Sequence, residues 1–237
     1  MKIALIGYGK MGRATEEIAL QKGHEIVLKI GSGNLNQFTS EGLQDADVCI
    51  EFSTPETAFE NVSRCLQAGK PTICGSTAWL HKLDEAYALC LEQQTAFLYA
   101  SNFSIGVNLF FKINEYAARL MSAYPLYKVR LEEIHHTAKK DAPSGTAVTL
   151  AEGIIKYHPA TQQWVSGAAK DDNELSIVSK RIDPAPGTHS IFYESDIDSI
   201  ELKHTAHSRM GFAHGAVLAA EFVCGKKGIF TMKDVLD

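Results

Sequence analysis

The chain has 237 residues, 45% of them hydrophobic and 22% charged, with a formal net charge of −5. This is the composition of a globular chain long enough to bury one large core or two smaller ones without staples. The mildly acidic balance argues against nucleic acid as the main partner, and no apolar run reaches the roughly 20 residues that span a bilayer. Met1-Lys2 leads straight into Ile3-Ala4-Leu5-Ile6, so no signal peptide and a cytoplasmic location are expected. The cysteines Cys49, Cys65, Cys74, Cys90 and Cys224 are scattered, odd in number and free of CxxC pairing. They read as reduced thiols, and no metal site is expected.

The first hundred residues alternate short apolar runs with longer amphipathic ones. Ile3–Ile6 reads as a strand, Met11–Lys22 as a helix, and Glu25–Ile30 and Asp47–Phe52 as strands. Pro55–Ala68 reads as a helix, with Thr54 as its cap and Pro55 at the first helical position. Strand Pro71–Gly75, helix His81–Gln93 and strand Ala96–Tyr99 follow. This alternation predicts a doubly wound parallel sheet of α/β class, with ligand-binding loops along its C-terminal edge.

After Tyr99 the texture changes. Ile105–Ser122 reads as one long amphipathic helix. Leu126–Ile134 is strand-like, with Tyr127, Val129, Leu131 and Glu133 on one face. Thr146–Tyr157 reads as a helix, and Glu174–Ile182, His189–Tyr193 and Ser199–His204 as strands. Strands no longer alternate with helices, which predicts a second, smaller α+β domain. Gly215–Cys224 returns to helix, and Phe230–Leu236 makes a short terminal segment.

Gly7-Tyr8-Gly9-Lys10-Met11-Gly12 is a GxGxxG between a strand and a helix, the context that gives this otherwise weak pattern meaning. Gly7 permits the tight turn, Gly9 lets backbone approach a pyrophosphate, and Gly12 lets helix pack on strand. The helix N-terminus then offers N–H groups and partial positive charge to phosphates. A carboxylate that clamps a ribose 2′-hydroxyl is expected about 20 residues on. The sequence there is Leu28-Lys29-Ile30-Gly31-Ser32-Gly33, without one. Lys10, Lys29 and Ser32 would favour a 2′-phosphate, so NADPH is expected to serve at least as well as NADH. The alternative is that both lysines are solvated surface charges.

Residues 133–147 read Glu-Ile-His-His-Thr-Ala-Lys-Lys-Asp-Ala-Pro-Ser-Gly-Thr-Ala. Two imidazoles, two ammonium groups and the start of a helix within so short a run suit a small anionic substrate that must be protonated. On a regular strand His135 and His136 point to opposite faces, so only one would meet a cleft unless the strand ends there. Ser144, Gly145 and Thr146 would offer hydroxyls and N–H groups to a carboxylate. Lys140 and Arg209 are weaker candidates, read by default as a solvated charge and a structural ion pair.

This run resembles the signature of the dihydrodipicolinate reductase family, with one residue between Glu133 and the histidine pair and the His-His-x-x-Lys-x-Asp-Ala-Pro-Ser-Gly-Thr-Ala positions all kept. The resemblance continues through the glycine loop, Phe52–Glu56, Gly75–Thr77, Ser101–Asn108, Gly187–Ser190, Ser208–Met210 and Met232–Leu236. It implies a Rossmann domain over 1–104 completed by 209–237, and a substrate and oligomerisation domain over 105–208. It also implies NAD(P)H as cofactor, a small dicarboxylate substrate and a homotetramer. His135 matches the family's proton donor and Lys139 its second donor. His136, Gly145 and Thr146 match substrate-binding positions. Gly75-Ser76-Thr77 and Ala100-Ser101-Asn102-Phe103 match the loops on the nicotinamide side. The usual loop is Gly-Thr-Thr, so Ser76 departs but keeps a hydroxyl. With cofactor and substrate on different domains a closing motion is expected, hinged over Asn102–Gly106. Two rivals are another two-domain dehydrogenase of aspartate or homoserine type, and a non-catalytic NAD(P)H sensor.

Overall fold

The structure, a computed structural model, describes residues 1–158 and 161–237. In chain order the strands and helices are β1 (Lys2–Ile6), α1 (Lys10–Gln21), β2 (Glu25–Ile30), β3 (Val48–Glu51), α2 (Pro55–Gln67), β4 (Thr72–Cys74), α3 (Leu83–Glu92), β5 (Ala96–Tyr99) and α4 (Ile105–Met121). There follow β6 (Lys128–His135), α5 (Gly145–Ile155), β7 (Gln163–Ser166), β8 (Glu174–Arg181), β9 (Gly187–Glu194), β10 (Ser199–Ala206), α6 (Met210–Val223), β11 (Gly228–Phe230) and α7 (Met232–Leu236). The chain divides into two compact units, one of Met1–Ile105 with Arg209–Asp237, the other of Gly106–Ser208.

The first unit is built on a six-stranded sheet of order β11-β5-β4-β3-β1-β2 in which every pairing is parallel. Its central strands are buried on both faces, so they read as continuous apolar runs rather than alternating ones. On β1, Ile3 and Leu5 face one core, while Ala4 and Ile6 face another. The first core also takes Ala213, Ala216, Val217 and Ala220 from α6. The opposite side carries Val62 and Leu66 of α2 against Trp79, Cys90 and Phe97. Small residues along α6 permit close approach: a Cβ at Gly215 would lie 1.7 Å from the carbonyl oxygen of Phe103.

The second unit holds a mixed sheet of order β10-β9-β6-β8-β7. Central β6 runs antiparallel to β9 and parallel to β8. One face of this sheet packs on α4 and α5, so β6 alternates as a half-covered strand should. Leu131 of that face meets a core with Phe110, Leu150, Ile154 and Tyr193. The next two positions on the same buried face are Glu133 and His135, both in or under the surface.

Four cysteines are buried and Cys224 is half-buried; all five are free thiols. No described helix is long and apolar enough to cross a membrane.

Candidate active site

In the first unit the β1–α1 turn opens a cleft of about 690 Å³ at the C-terminal end of the parallel strands. Each glycine of the turn is required for a different reason. Gly7 has φ +95°, and a Cβ there would sit 2.1 Å from the Phe52 carbonyl oxygen. A Cβ at Gly12 would sit 2.4 Å from the Gly7 carbonyl oxygen, so the helix packs too closely on the turn for a side chain. At Gly9 a Cβ would meet nothing within 4 Å, so this glycine leaves space for a ligand rather than for protein. Helix α1 has Gly9 as its cap and no side-chain capping hydrogen bond, and no carboxylate stands in its first turn. Its N–H groups and dipole therefore suit phosphate, and the residues present fit a dinucleotide.

The loops of the nicotinamide side are held from within. The Ser76 hydroxyl accepts the Ser53 N–H at 2.9 Å, and the Ser76 carbonyl accepts the Trp79 indole N–H at 2.7 Å. A Cβ at Gly75 would lie 2.1 Å from the Phe52 ring, and Phe52 in turn meets Phe103 edge-on at 5.8 Å. Thr77 and Ser101 are exposed and Asn102 half-buried, while Ala100 and Phe103 are buried. Of the residues expected to favour a 2′-phosphate, Ser32 lines the cleft. Lys29 is a correction: its ammonium lies 2.5 Å from the Glu16 carboxylate, which also accepts the Tyr8 hydroxyl. A charge already neutralised there is a poor phosphate clamp. Lys10 opens α1 and is exposed. Arg64 of α2, unmarked in the sequence, does line the cleft, paired with Glu60 at 2.9 Å.

In the second unit the sheet register assembles a carboxylate–imidazole cluster. Glu133 pairs across β6–β9 with His189 and across β6–β8 with Ser179; His135 pairs with Arg181. Glu133 is fully buried. One of its oxygens, Oε1, accepts the Ser179 hydroxyl at 2.7 Å and faces Arg181 Nη2 at 3.4 Å. Both oxygens share the Ser144 N–H at 3.1 Å. The other, Oε2, lies 3.4 Å from His135 Nδ1 and 3.7 Å from His189 Nε2. The two imidazoles meet edge to face at 5.1 Å.

The charges in this cluster are set by burial and by these contacts. Burial pushes the Glu133 carboxyl up, but hydrogen bonds from Ser144 and Ser179 and the nearby His135 outweigh it, and it stays below the usual range. Burial pushes His135 below the ordinary imidazole value; Glu133 opposes that, and Lys139 and Arg181 reinforce it. Burial, helped by His135, pushes His189 down to about 4.

Helix α5 begins directly over this cluster. Ser144 is its cap, and its hydroxyl accepts the Ala147 N–H at 3.2 Å and pairs with His189 Nε2 at 3.3 Å. Ser144 was expected to face a substrate carboxylate. Its N–H and hydroxyl are instead turned inward, to Glu133, Ala147 and His189, because an N-cap serine first satisfies its own helix. Gly145 and Thr146 form the first turn, and a Cβ at Gly145 would meet nothing within 4 Å. The loop between β6 and α5 carries His136, half-buried, and Lys139, whose ammonium holds both Asp141 oxygens at 2.8 and 2.9 Å. Hydrogen bonding from Lys139 keeps the Asp141 carboxyl below its ordinary range. Arg181 Nη2 donates to the Asp141 carbonyl at 2.6 Å, which ties the loop to β8. Lys140 is exposed, and Arg209 lies exposed at the start of α6 in the first unit.

Glu133, His189 and Arg181 were missing from the expected site. Glu133 carried a signal: a carboxylate in step with Leu131 on an apolar face must be paired when buried.

A glycine turn on a parallel sheet, with a buried carboxylate–imidazole cluster at a helix start, defines the class: a nucleotide-dependent oxidoreductase. Two family models match, "Dihydrodipicolinate reductase, N-terminus" over residues 1–103 and "Dihydrodipicolinate reductase, C-terminus" over residues 106–236. The chain belongs to the dihydrodipicolinate reductase family, and so to the NAD(P)H-dependent oxidoreductases. A 4-hydroxy-tetrahydrodipicolinate reductase of Christiangramia forsetii is 47% identical over 240 residues, covering 100% of this chain and 98% of the relative. Among solved structures, a dipicolinate-bound dihydrodipicolinate reductase from Paenisporosarcina sp. TG-14 superposes with a TM-score of 0.79 at 24% identity, covering 98% of this chain and 97% of that one. An aspartate dehydrogenase from Thermotoga maritima gives a TM-score of 0.50 at 15% identity, covering 97% and 99%. At such identities these last two likenesses concern the fold alone.

Proposed function

We propose that the chain reduces 4-hydroxy-tetrahydrodipicolinate to tetrahydrodipicolinate with NAD(P)H, the reductive step of the diaminopimelate and lysine route. The observation that carries this reading is the convergence of His135, Glu133 and the start of α5 in one cluster, with Lys139 on the connecting loop. When bound, the reduced nicotinamide supplies the hydride. The chain's own residues do the rest. The Gly7–Gly12 turn, with Tyr8, Lys10 and Met11, holds the pyrophosphate end, and Gly75-Ser76-Thr77 with Ala100–Phe103 holds the nicotinamide side. Backbone N–H groups of Gly145 and Thr146, with His136, bind the substrate's carboxylates, and Ser144 fixes that helix start in place.

Hydride addition to a carbon conjugated with an imine and a carboxylate leaves negative charge that a positioned acid must quench. His135 and Lys139 are that acid pair. Burial holds His135 below the ordinary imidazole value. Two substrate carboxylates beside it oppose that shift and favour the protonated, donating form. Asp141 holds the Lys139 ammonium in place on the same loop.

NADPH serves at least as well as NADH, on the absence of a carboxylate at the end of β2 and the presence of Ser32 in the cleft. The protein works in the cytoplasm as a homotetramer. Leu109, Ile113, Tyr116 and Leu120, exposed along one face of α4, suit a surface covered by another subunit.

The test is oxidation of NADPH and NADH, run in parallel, with substrate generated in situ from pyruvate and aspartate semialdehyde by a coupled synthase. Synthase-dependent oxidation is the expected result, with kcat/KM for NADPH equal to or above that for NADH. Folded protein that binds NADPH without turning over this substrate would overturn the reading.

A further inference from the structure

We propose that Glu133, His135 and His189 form a binding site for a zinc-class divalent metal ion. Their ligand atoms all lie within 4.8 Å of one another, with edges of 3.4 Å from Glu133 Oε2 to His135 Nδ1 and 3.7 Å to His189 Nε2. A tetrahedral ion with bonds of about 2.0–2.2 Å separates its ligands by roughly 3.4 Å, and both edges to Glu133 fall within a few tenths of an ångström of that. Two imidazoles and one carboxylate are a donor set that zinc accepts, with a fourth position left for water or another ligand.

A second observation points the same way. His135 Nδ1 is a buried polar atom with no hydrogen-bond partner, on a side chain only 9% exposed. It lies 3.4 Å from a carboxylate oxygen without forming a hydrogen bond to it. Buried polar atoms are rarely left so, and such an exception asks for an explanation. The surroundings supply the rest of a site. Glu133 Oε1 is held by Ser179 and Arg181, which orients Oε2 toward the two rings, the outer-sphere support that metal-binding carboxylates usually have. All three ligands stand on β6 and β9, so their spacing is fixed by sheet register rather than by a loop. The guanidinium of Arg181 repels a cation, so binding is weaker than at a structural zinc site.

Metal binding goes beyond the proposed reaction and does not rest on it. One consequence does: coordination through Nδ1 would hold the His135 ring and its proton inventory, so bound metal would inhibit turnover.

The test uses the full chain stripped with chelator and titrated with Co2+, read by the visible d–d bands of tetrahedral cobalt, with Zn2+ as displacer. The expected result is one Co2+ per chain, released by Zn2+, with His189→Gln losing more than ~10-fold in affinity, the least that disturbing a metal's coordination shell costs. His135→Gln, at the end of its strand, should lose as much and serves if His189→Gln fails to fold by circular dichroism. Absent tetrahedral bands, or bands unchanged in the folded variants, would overturn the site. Zn2+ inhibition of wild type, reversed by chelator, supports both the site and the role of His135. Cobalt binding with turnover unaffected by Zn2+ supports the site and removes His135 from proton transfer.

Discussion

Two helix starts in this molecule are suited to anions, and they are built in opposite ways. Helix α1 begins on glycine, without a side-chain cap and with open space at Gly9. Helix α5 begins on Ser144, whose hydroxyl caps Ala147 and whose N–H is fixed on a buried carboxylate. The first leaves its donors to the ligand, as suits a pyrophosphate that brings its own charge and shape. The second commits part of its backbone to Glu133, a residue on the central strand. That locks the helix start to the strand that carries His135. A start that only binds tolerates an open cap; in the proposed reaction the second presents a carboxylate to a proton donor and needs a fixed distance.

Damage at the two helix starts should therefore separate into different measurements. The largest effect belongs to His135→Gln. It should lower kcat by about 10²–10⁴, the range of a lost general acid, with NADPH affinity unchanged in a fluorescence titration. Lys139→Ala should behave in the same direction, and near-normal turnover in both variants would refute the assignment. Glu133→Ala should follow, costing about 3–5 kcal/mol of stability, because Arg181 and the Ser144 N–H lose a buried charged partner. Thermal unfolding reads it, and an unchanged Tm would show that the cluster is not a stabilising element.

The third effect is a pH dependence. His189 sits at about 4 in the folded chain against 6.5 for a free imidazole. Between these values the unfolded chain binds a proton that the folded chain refuses. Stability from this group is therefore full above 6.5 and lost as pH falls toward 4, by about 3 kcal/mol when complete. Denaturant unfolding across that interval, in chelator, should show a slope that flattens in His189→Gln. The smallest effect separates the glycines of the turn before α1. Gly7→Ala, clashing with Phe52, should cost about 1–3 kcal/mol. Gly9→Ala should leave stability within about 0.5 kcal/mol and weaken NADPH binding instead.

The nucleotide end was legible because its signals are local. The turn, its strand and its helix lie within twenty residues, and strands such as Glu25–Ile30 and Ala96–Tyr99 stand where the apolar runs placed them. Short, partly polar β7 was missed, since Gln163-Trp164-Val165-Ser166 offers too little pattern to tell strand from loop. The cluster in the second unit was only half legible. His135, Lys139 and the start of α5 are contiguous in sequence. His189 and Arg181 reach Glu133 through register between distant strands, and register is not written in any local run. Lys29 misled for a related reason: its partner Glu16 lies on a helix whose rotation relative to β2 the sequence does not specify.

The first sheet is closed at one edge by β11, and α6 fills the core beneath it. Both come from beyond residue 208, after the whole of the other unit. During synthesis, then, Met1–Ile105 leave the ribosome before α6 and β11 and reach their final packing only once those have followed. The contiguous stretch Gly106–Ser208 can condense first, while the amino-terminal strands wait with an unfilled face for a helix not yet made. A chain ended at Ser208 and tethered to the ribosome by a linker long enough to clear the exit tunnel should display a protease-resistant second unit joined to a sensitive first one.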